Sequence, residues 1–581
     1  MYKLTRFALI ATVLLAAYCV VMLTIMIPWA WVALAIGAGI ALAKRGYRYT
    51  AFGTARFADV SDLQGMLDGN GLIIGRIESS RSLKIWPLFN PRIASVVACD
   101  QFLARFRRKC PQLVTLSKAV HTAVFCPTGG GKGVSCVIPH LLTCPDSMVV
   151  VDFKGENARI TAKARRAMGH RVVLLDPFKV VTQTPDSFNP LDFIEADSPN
   201  ALDECRDLAE ALVIRTGQEK DPHWGDSAEV WIAAMVAAVV RYGEGSDRSL
   251  QAVRMLLTDQ QKMEAIIKLM QASDAWDGML SRLGHQLTQF KEKELGSTLT
   301  TTNRFMRFLD TPAIAESTKG SSFDPADLLK GKVTVFLILP PEHMRAQSAL
   351  LRMWIGSLLR AVVRGGLQDR NKVHFVLDEA ASLGHMDALD DAVDKFRGYG
   401  VRLQLYYQSL GQLKKCFPEG GDQTLLSNCT TVWFGVNDNE TAEYVSNRLG
   451  EETIVINSGG TSSGTSRQTG HDGNYSYSSN DSENWQQHGR KLLKPEEVMA
   501  LPERTAITFT PGVPPIWTTL IRYYEGPLKQ PGRFWPAVRA FVDAVCLLLL
   551  ALMLAALLSG MANDVGGSAP GAPVQEDWLF K

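Results

Sequence analysis

The sequence lacks a strong net charge: 61 basic and 59 acidic residues among 581 leave +2. No global field recruits nucleic acid, so any such contact must be local or come from an assembled ring. It lacks a C-x-x-C motif, and its ten cysteines are scattered. No His/Cys pair is read at the spacing of a metal site, so neither a zinc site nor a disulfide framework is expected. This cysteine usage suits a reducing compartment for the bulk of the chain. No internal repeat is visible, and the length allows three or four domains.

Long apolar runs are present at both ends. Residues 7–27 are apolar for long enough to span a bilayer. Pro28 breaks the run, and residues 29–43 form a second, shorter one. Lys3 and Arg6 precede the pair, and Lys44, Arg45 and Arg48 follow it. The positive-inside rule then predicts a transmembrane helix hairpin, residues 1–48, with both flanks cytoplasmic. A cleaved signal peptide fits less well, because a second apolar run follows directly. A third run, 544–558, is short for a full crossing. It is read either as a span or as an interfacial or buried helix within a C-terminal segment, 526–581.

Between the anchors the pattern is α/β. Short continuous apolar runs at 120–125, 148–152, 171–175, 332–339, 372–377, 402–407 and 430–436 alternate with helical stretches, which predicts a parallel sheet covered on both faces. From 193 to about 315 the apolar spacing is helical, at 202–214, 228–242, 249–256, 263–270 and 280–290. The expected organisation is a nucleotide-binding domain in two parts, 49–192 and 331–525, around an all-helical domain, 193–330. Residues 457–488 are dense in Ser, Gly, Asn and Thr and cannot bury enough surface to order themselves, which predicts a mobile loop. Tyr475, Tyr477 and Trp485 within it have no basic residue beside them, so base stacking is not the preferred reading.

Two segments carry the chemistry. Residues 126–133 read CPTGGGKG between a β-rich run and a helix. Such a loop aims backbone N–H groups and a helix N-terminus at phosphate oxygens, and Lys132 adds a point charge. Against the pattern G-x-x-x-x-G-K-[ST], Cys126 replaces the first glycine and Gly133 the hydroxyl residue. Thr128, Ser135 or water is left to supply the missing oxygen. Residues 373–379 read VHFVLDE, a buried strand ending in Asp378 and Glu379. At the carboxyl end of a parallel strand, Asp378 is placed to hold Mg²⁺ and Glu379 to activate water. The strand 402–407 delivers Gln408 to the same edge, as a possible γ-phosphate sensor. Arg397 ends the preceding helix and is a candidate to act at a neighbouring subunit's site; a surface salt bridge is the competing reading.

These residues resemble the type IV secretion coupling proteins of the TraG/TraD kind. The likeness runs in order through 52–58 (FGTARFA), 127–142 (PTGGGKGVSCVIPHLL), 150–157 (VVDFKGEN), 175–178 (LDPF) and 188–191 (FNPL). It continues through 376–384 (VLDEAASLG), 408–410 (QSL), 492–501 and 514–516. It covers roughly residues 1–525 but not the C-terminal apolar run, and a glycine after the loop lysine is itself a trait of the TraG type. The resemblance implies a RecA-like P-loop fold and a hexameric ATPase anchored in the bacterial inner membrane, with most of the chain cytoplasmic. It implies ATP and Mg²⁺ as cofactors, and as partners a relaxase–DNA complex or protein effectors, DNA, and the secretion channel. The implied nucleotide-binding residues are Pro127, Thr128, Gly129, Gly130, Gly131, Lys132, Gly133 and Val134. Asp378 is the implied metal residue, and Lys132, Glu379, Arg397 and Gln408 the catalytic ones. The helical domain is implied to recognise cargo. A docking receptor with a vestigial nucleotide site and a septal-type DNA translocase are the alternatives.

Overall fold

A computed structural model describes residues 50–63, 65–67, 71–77, 112–117, 119–215, 221–417, 420–467 and 475–525. The apolar runs expected to span the membrane lie outside these residues. Among the described residues no helix is long and apolar enough to cross a membrane. Residues 50–530 form one compact unit.

Its centre is an eleven-stranded sheet. The strands, in chain order, are β1 (Leu72–Ile77), β2 (Gln112–Leu116), β3 (His121–Phe125), β4 (Ser147–Asp152), β5 (Arg171–Leu175), β6 (Val333–Ile338), β7 (Val373–Leu377), β8 (Val401–Tyr407) and β9 (Cys429–Phe434). A separate pair, β10 (Glu451–Arg467) and β11 (Tyr475–Lys491), precedes β12 (Thr505–Phe509) and β13 (Ile516–Thr519). The spatial order is β2-β1-β13-β12-β9-β3-β8-β7-β4-β6-β5. From β9 to β5 every pairing is parallel. From β9 out to β2 every pairing is antiparallel.

The continuous apolar runs are explained by burial on both faces. In β4, Val149 and Val151 face one core while Met148 and Val150 face the other. In β7, Phe375 and Leu377 join the first core and Val376 the second. The order of strands sets up the site: β8 lies between β3 and β7, and Phe125 pairs with Tyr407 while Leu377 pairs with Leu405. The residues that follow these three parallel strands therefore emerge at one edge.

Residues 201–317 are helical, with Ala201–Leu212, His223–Tyr242, Leu250–Thr258, Gln260–Gln271 and Met279–Leu287 where the periodicity places them. A further helix, Glu292–Met306, was not anticipated. Its run of threonines has low helix propensity. Thr300, Thr301 and Thr302 instead turn their hydroxyls back onto the carbonyls of Gly296, Ser297 and Thr298, at 2.8, 3.0 and 2.8 Å. These helices share one continuous apolar core with the sheet.

The Ser/Gly-rich stretch differs from expectation. Rather than an irregular loop, it forms an antiparallel hairpin in register from Glu451–Lys491 out to Arg467–Tyr475. In such a ribbon the inward-facing backbone groups pair across the ladder whatever the side chains, so a composition without apolar alternation does not exclude it.

His121 opens β3 and is buried; its Nδ1 accepts from the Leu403 N–H at 3.1 Å. Burial, aided by the positive charges of Arg402 and Arg397, holds it down at about 4. The unfolded chain binds a proton near 6.5 and the folded chain does not. The stabilisation is thus complete above about 6.5 and is lost as the pH falls toward 4. Denaturant unfolding of the chain should lose up to about 3 kcal/mol over that window. His121→Gln should flatten this dependence.

Candidate functional site

β3 ends at Phe125, and Cys126 extends its ladder by donating to the Tyr407 carbonyl at 2.9 Å. Gly129 and Gly131 then take left-handed backbone, φ 85° and 89°, which turns the chain sharply into a helix. That helix opens with one π-turn, Gly133–Val137, and continues as Ile138–Thr143. Gly133 and Val134 thus form its first turn, where unpaired N–H groups collect.

Cys126 at the first position of the loop is buried, and burial pushes its thiol up to about 12. It is a filler rather than a nucleophile. It also constrains its neighbour, because a Cβ on Gly130 would lie 2.3 Å from the Cys126 sulfur. Pro127 stands beside the loop at half-burial and Thr128 is exposed on it, whereas Ser135 is buried inside the helix.

Lys132 reaches across β8 to the end of β7. Its Nζ lies 2.5 Å from Glu379 Oε1 and 3.2 Å from Asp378 Oδ1. Burial alone would lower the ammonium; the two carboxylates outweigh it and hold it above its usual value. Burial also raises Asp378, with Lys132 opposing. Asp378 Oδ1 is buried and, although close to Lys132, is not aligned for a hydrogen bond. Glu379 sits at φ 57°, a left-handed conformation costing a non-glycine residue on the order of 1 kcal/mol. Its second oxygen, Oε2, accepts from Gln408 Nε2 at 3.0 Å. Lys132, Glu379 and Gln408 form one hydrogen-bonded chain across three adjacent strands.

Arg397 is not part of this cluster. It lies on the short 3-10 turn Phe396–Tyr399, exposed, immediately before β8. Gln408 follows the same strand, so the two stand at opposite edges of the sheet, separated by the length of β8, about 20 Å.

Sequence reasoning missed two features. Asp152, at the end of β4, is buried and accepts from the Ala158 N–H at 2.8 Å, fixing the start of helix Glu156–Ala167. The second is a cluster of His and Cys side chains that the spacing of the cysteines does not reveal. His140 and Cys144 lie four residues apart on and just beyond helix Ile138–Thr143, and with His374 their donor atoms fall within 4.8 Å of one another. The four-residue spacing was visible; the third member, 230 residues on, was not.

The family model for type IV secretory system conjugative DNA transfer matches residues 85–542. A type IV secretion system-coupling protein, VirD4 of Bartonella quintana, is 30% identical over 409 residues, covering 68% of this chain and 62% of that protein. The conjugal transfer protein TraG of Rhizobium radiobacter is 30% identical over 412 residues, covering 68% and 61%. The chain therefore matches less than two thirds of the length of these relatives. Among solved structures, plasmid coupling protein TrwB in complex with a non-hydrolysable ATP analogue superposes with a TM-score of 0.56 at 16% identity, covering 84% of this chain and 99% of that one. TrwB in complex with ADP and Mg²⁺ gives 0.50 at 17% identity, over 71% and 88%. These likenesses place the α/β sheet and its helices in one fold.

The contact between Cys126 and Gly130 gives a local test. Gly130→Ala should destabilise the chain by about 1–3 kcal/mol through overpacking. Adding Cys126→Gly should recover most of that loss, a coupling that thermal denaturation of the single and double variants measures.

Proposed function

The chain belongs to the type IV secretory system conjugative DNA transfer family, and on that premise we propose that it is a membrane-anchored coupling ATPase. It receives a relaxase–DNA complex, protein effectors, or both, and uses ATP hydrolysis to pass them to a type IV secretion channel. The observation that carries this reading is the Lys132–Glu379–Gln408 chain, with Asp378 beside it.

The geometry suggests how the site works. The loop 127–134 cradles the phosphates with backbone N–H groups. Lys132 exchanges its carboxylate partners for the β- and γ-phosphates. Glu379 Oε1 is then released to accept a proton from the attacking water. Gln408 keeps Oε2 oriented throughout and links the state of the γ-phosphate to β8. A bound Mg²⁺ would supply positive charge to offset the negative charge developing on the phosphates. Asp378 is the residue to hold it, directly or through water, because its Oδ1 is buried without a hydrogen bond. The donor set fits the ion: a hard carboxylate oxygen at the end of a parallel strand.

Arg397 stands too far from the loop of its own chain to touch bound phosphate. Its place on the opposite edge suits a role at a neighbouring subunit's site, and hence a ring, six-membered by the family resemblance. The hairpin 1–48 anchors this ring in the bacterial inner membrane with the bulk of the chain cytoplasmic. The helices of 193–330 face the cytoplasm and meet the cargo.

Glu379→Gln should lower the ATP turnover rate by about 10²–10⁴-fold while the protein still reaches the membrane. Lys132→Ala should abolish both turnover and transfer in a mating assay. Co-assembly of Lys132→Ala chains with Arg397→Ala chains should restore part of the turnover, since some interfaces then combine an intact Lys132 with an intact Arg397. Normal transfer by either Lys132→Ala or Glu379→Gln contradicts the motor role and favours a docking receptor. Absence of any recovery on mixing contradicts the shared site.

A further inference from the structure

At the edge of the sheet away from the phosphate loop, three side chains with metal-binding atoms, His140, Cys144 and His374, converge within 4.8 Å of one another, and the Asp146 carboxylate lies beside two of them. Helix Ile138–Thr143 contributes His140, and the segment that follows contributes Cys144 and Asp146; β7 contributes His374, its second residue. Cys144 Sγ lies 3.8 Å from His374 Nε2 and 3.8 Å from Asp146 Oδ2, and His374 Nε2 lies 3.2 Å from Asp146 Oδ2. The His140 and His374 ring centroids are 5.0 Å apart. Tetrahedral zinc, with bonds of about 2.0–2.3 Å, separates its ligand atoms by roughly 3.4–3.6 Å, close to the 3.2–3.8 Å between the Cys144, His374 and Asp146 atoms; the His140 donor lies within 4.8 Å of those of Cys144 and His374.

The hydrogen bonding of the group is incomplete. His140 is fully buried, and its ring nitrogens make no hydrogen bond of good geometry, the Cys144 thiol within 4.8 Å being the nearby polar group; His374 Nδ1 has no hydrogen-bond partner. A buried imidazole left unpaired on both nitrogens costs free energy that a purely structural histidine avoids by finding a partner.

The backbone that carries Cys144 and Asp146 is braced from behind. Arg165, fully buried, donates to the carbonyls of Leu141, Cys144 and Asp146 and to Thr334 Oγ1. His170 Nε2 lies 3.0 Å from the Pro145 carbonyl. The ligating turn is thus fixed by groups outside the cluster, the kind of support that orients metal ligands. A cleft of about 360 Å³, lined in part by Cys144, Asp146 and His374, gives an ion a route in.

We propose that His140, Cys144 and His374 bind one zinc ion, with the neighbouring Asp146 carboxylate drawn in as the fourth ligand. The two nitrogens, one sulfur and one oxygen suit a borderline-soft, tetrahedral cation. With four protein ligands the site is closed, so its role is structural. It joins the far end of the helix that begins at Lys132 to the start of the strand that ends at Asp378 and Glu379. The ion clamps the two elements whose other ends form the nucleotide site, and the inference stands independently of any reading of that site.

The test uses the full chain, purified with reductant, stripped with a chelator and titrated with Zn²⁺ alone. One equivalent should bind and raise the melting temperature, and Co²⁺ in its place should give a thiolate-to-cobalt charge-transfer band. Cys144→Ser should melt like the stripped wild type yet lose the zinc-dependent rise and the band. Asp146→Asn, a change at a partly exposed residue, should weaken zinc binding by about 10–100-fold. A well-folded wild type that binds no zinc overturns the proposal irrespective of any variant. So does zinc binding that Cys144→Ser and Asp146→Asn leave unchanged.

Discussion

One ammonium group held between two carboxylates organises the functional edge of this protein. Lys132 Nζ meets Glu379 at 2.5 Å and Asp378 at 3.2 Å. That contact spans two strands, and it exists only because β8 separates β3 from β7 with all three parallel and in register. A slip of one residue in β7 would turn Glu379 to the opposite face of the sheet. A half-buried ion pair of this kind is weak evidence of stability, since desolvation consumes much of the Coulomb gain. Its value in the proposed function lies in position: there it keeps a charge available for phosphate and the carboxylates occupied until the lysine leaves.

The two departures from the usual phosphate-loop pattern have different physical meanings. Cys126 is accommodated sterically, its sulfur occupying space that any side chain on Gly130 would need. Gly133 is accommodated through backbone, since it begins a π-turn in place of an ordinary helical one. Wider turns of this type recur at functional sites because they re-aim the first N–H groups of a helix. Neither change removes what a phosphate needs, which is converging N–H donors and one mobile cation.

Much of this was legible in the sequence, for identifiable reasons. Strands such as Ser147–Asp152 and Val373–Leu377 are buried on both faces, so continuous apolar runs gave them away. Asp378, Glu379 and Gln408 follow parallel strands, and residues in that position share an edge. Arg397 precedes its strand, which puts it on the other edge, a consequence of polarity that motif spacing does not convey. The helix Glu292–Met306 was hidden because its threonines satisfy themselves within the helix against their own propensity. The hairpin 451–491 was hidden because its Ser/Gly-rich strands carry no apolar alternation to mark them. The His140–Cys144–His374 group could not be read because two of its members are local and the third arrives through the sheet.

In the proposed mechanism Lys132 moves from carboxylate to phosphate. A structure of the full chain with a non-hydrolysable ATP analogue and Mg²⁺ tests this directly. It should show the phosphates within loop 127–134, Lys132 Nζ withdrawn from Glu379 onto them, and Asp378 beside the ion. A nucleotide bound elsewhere, or Lys132 still paired with Glu379 in the nucleotide-bound state, would contradict the account.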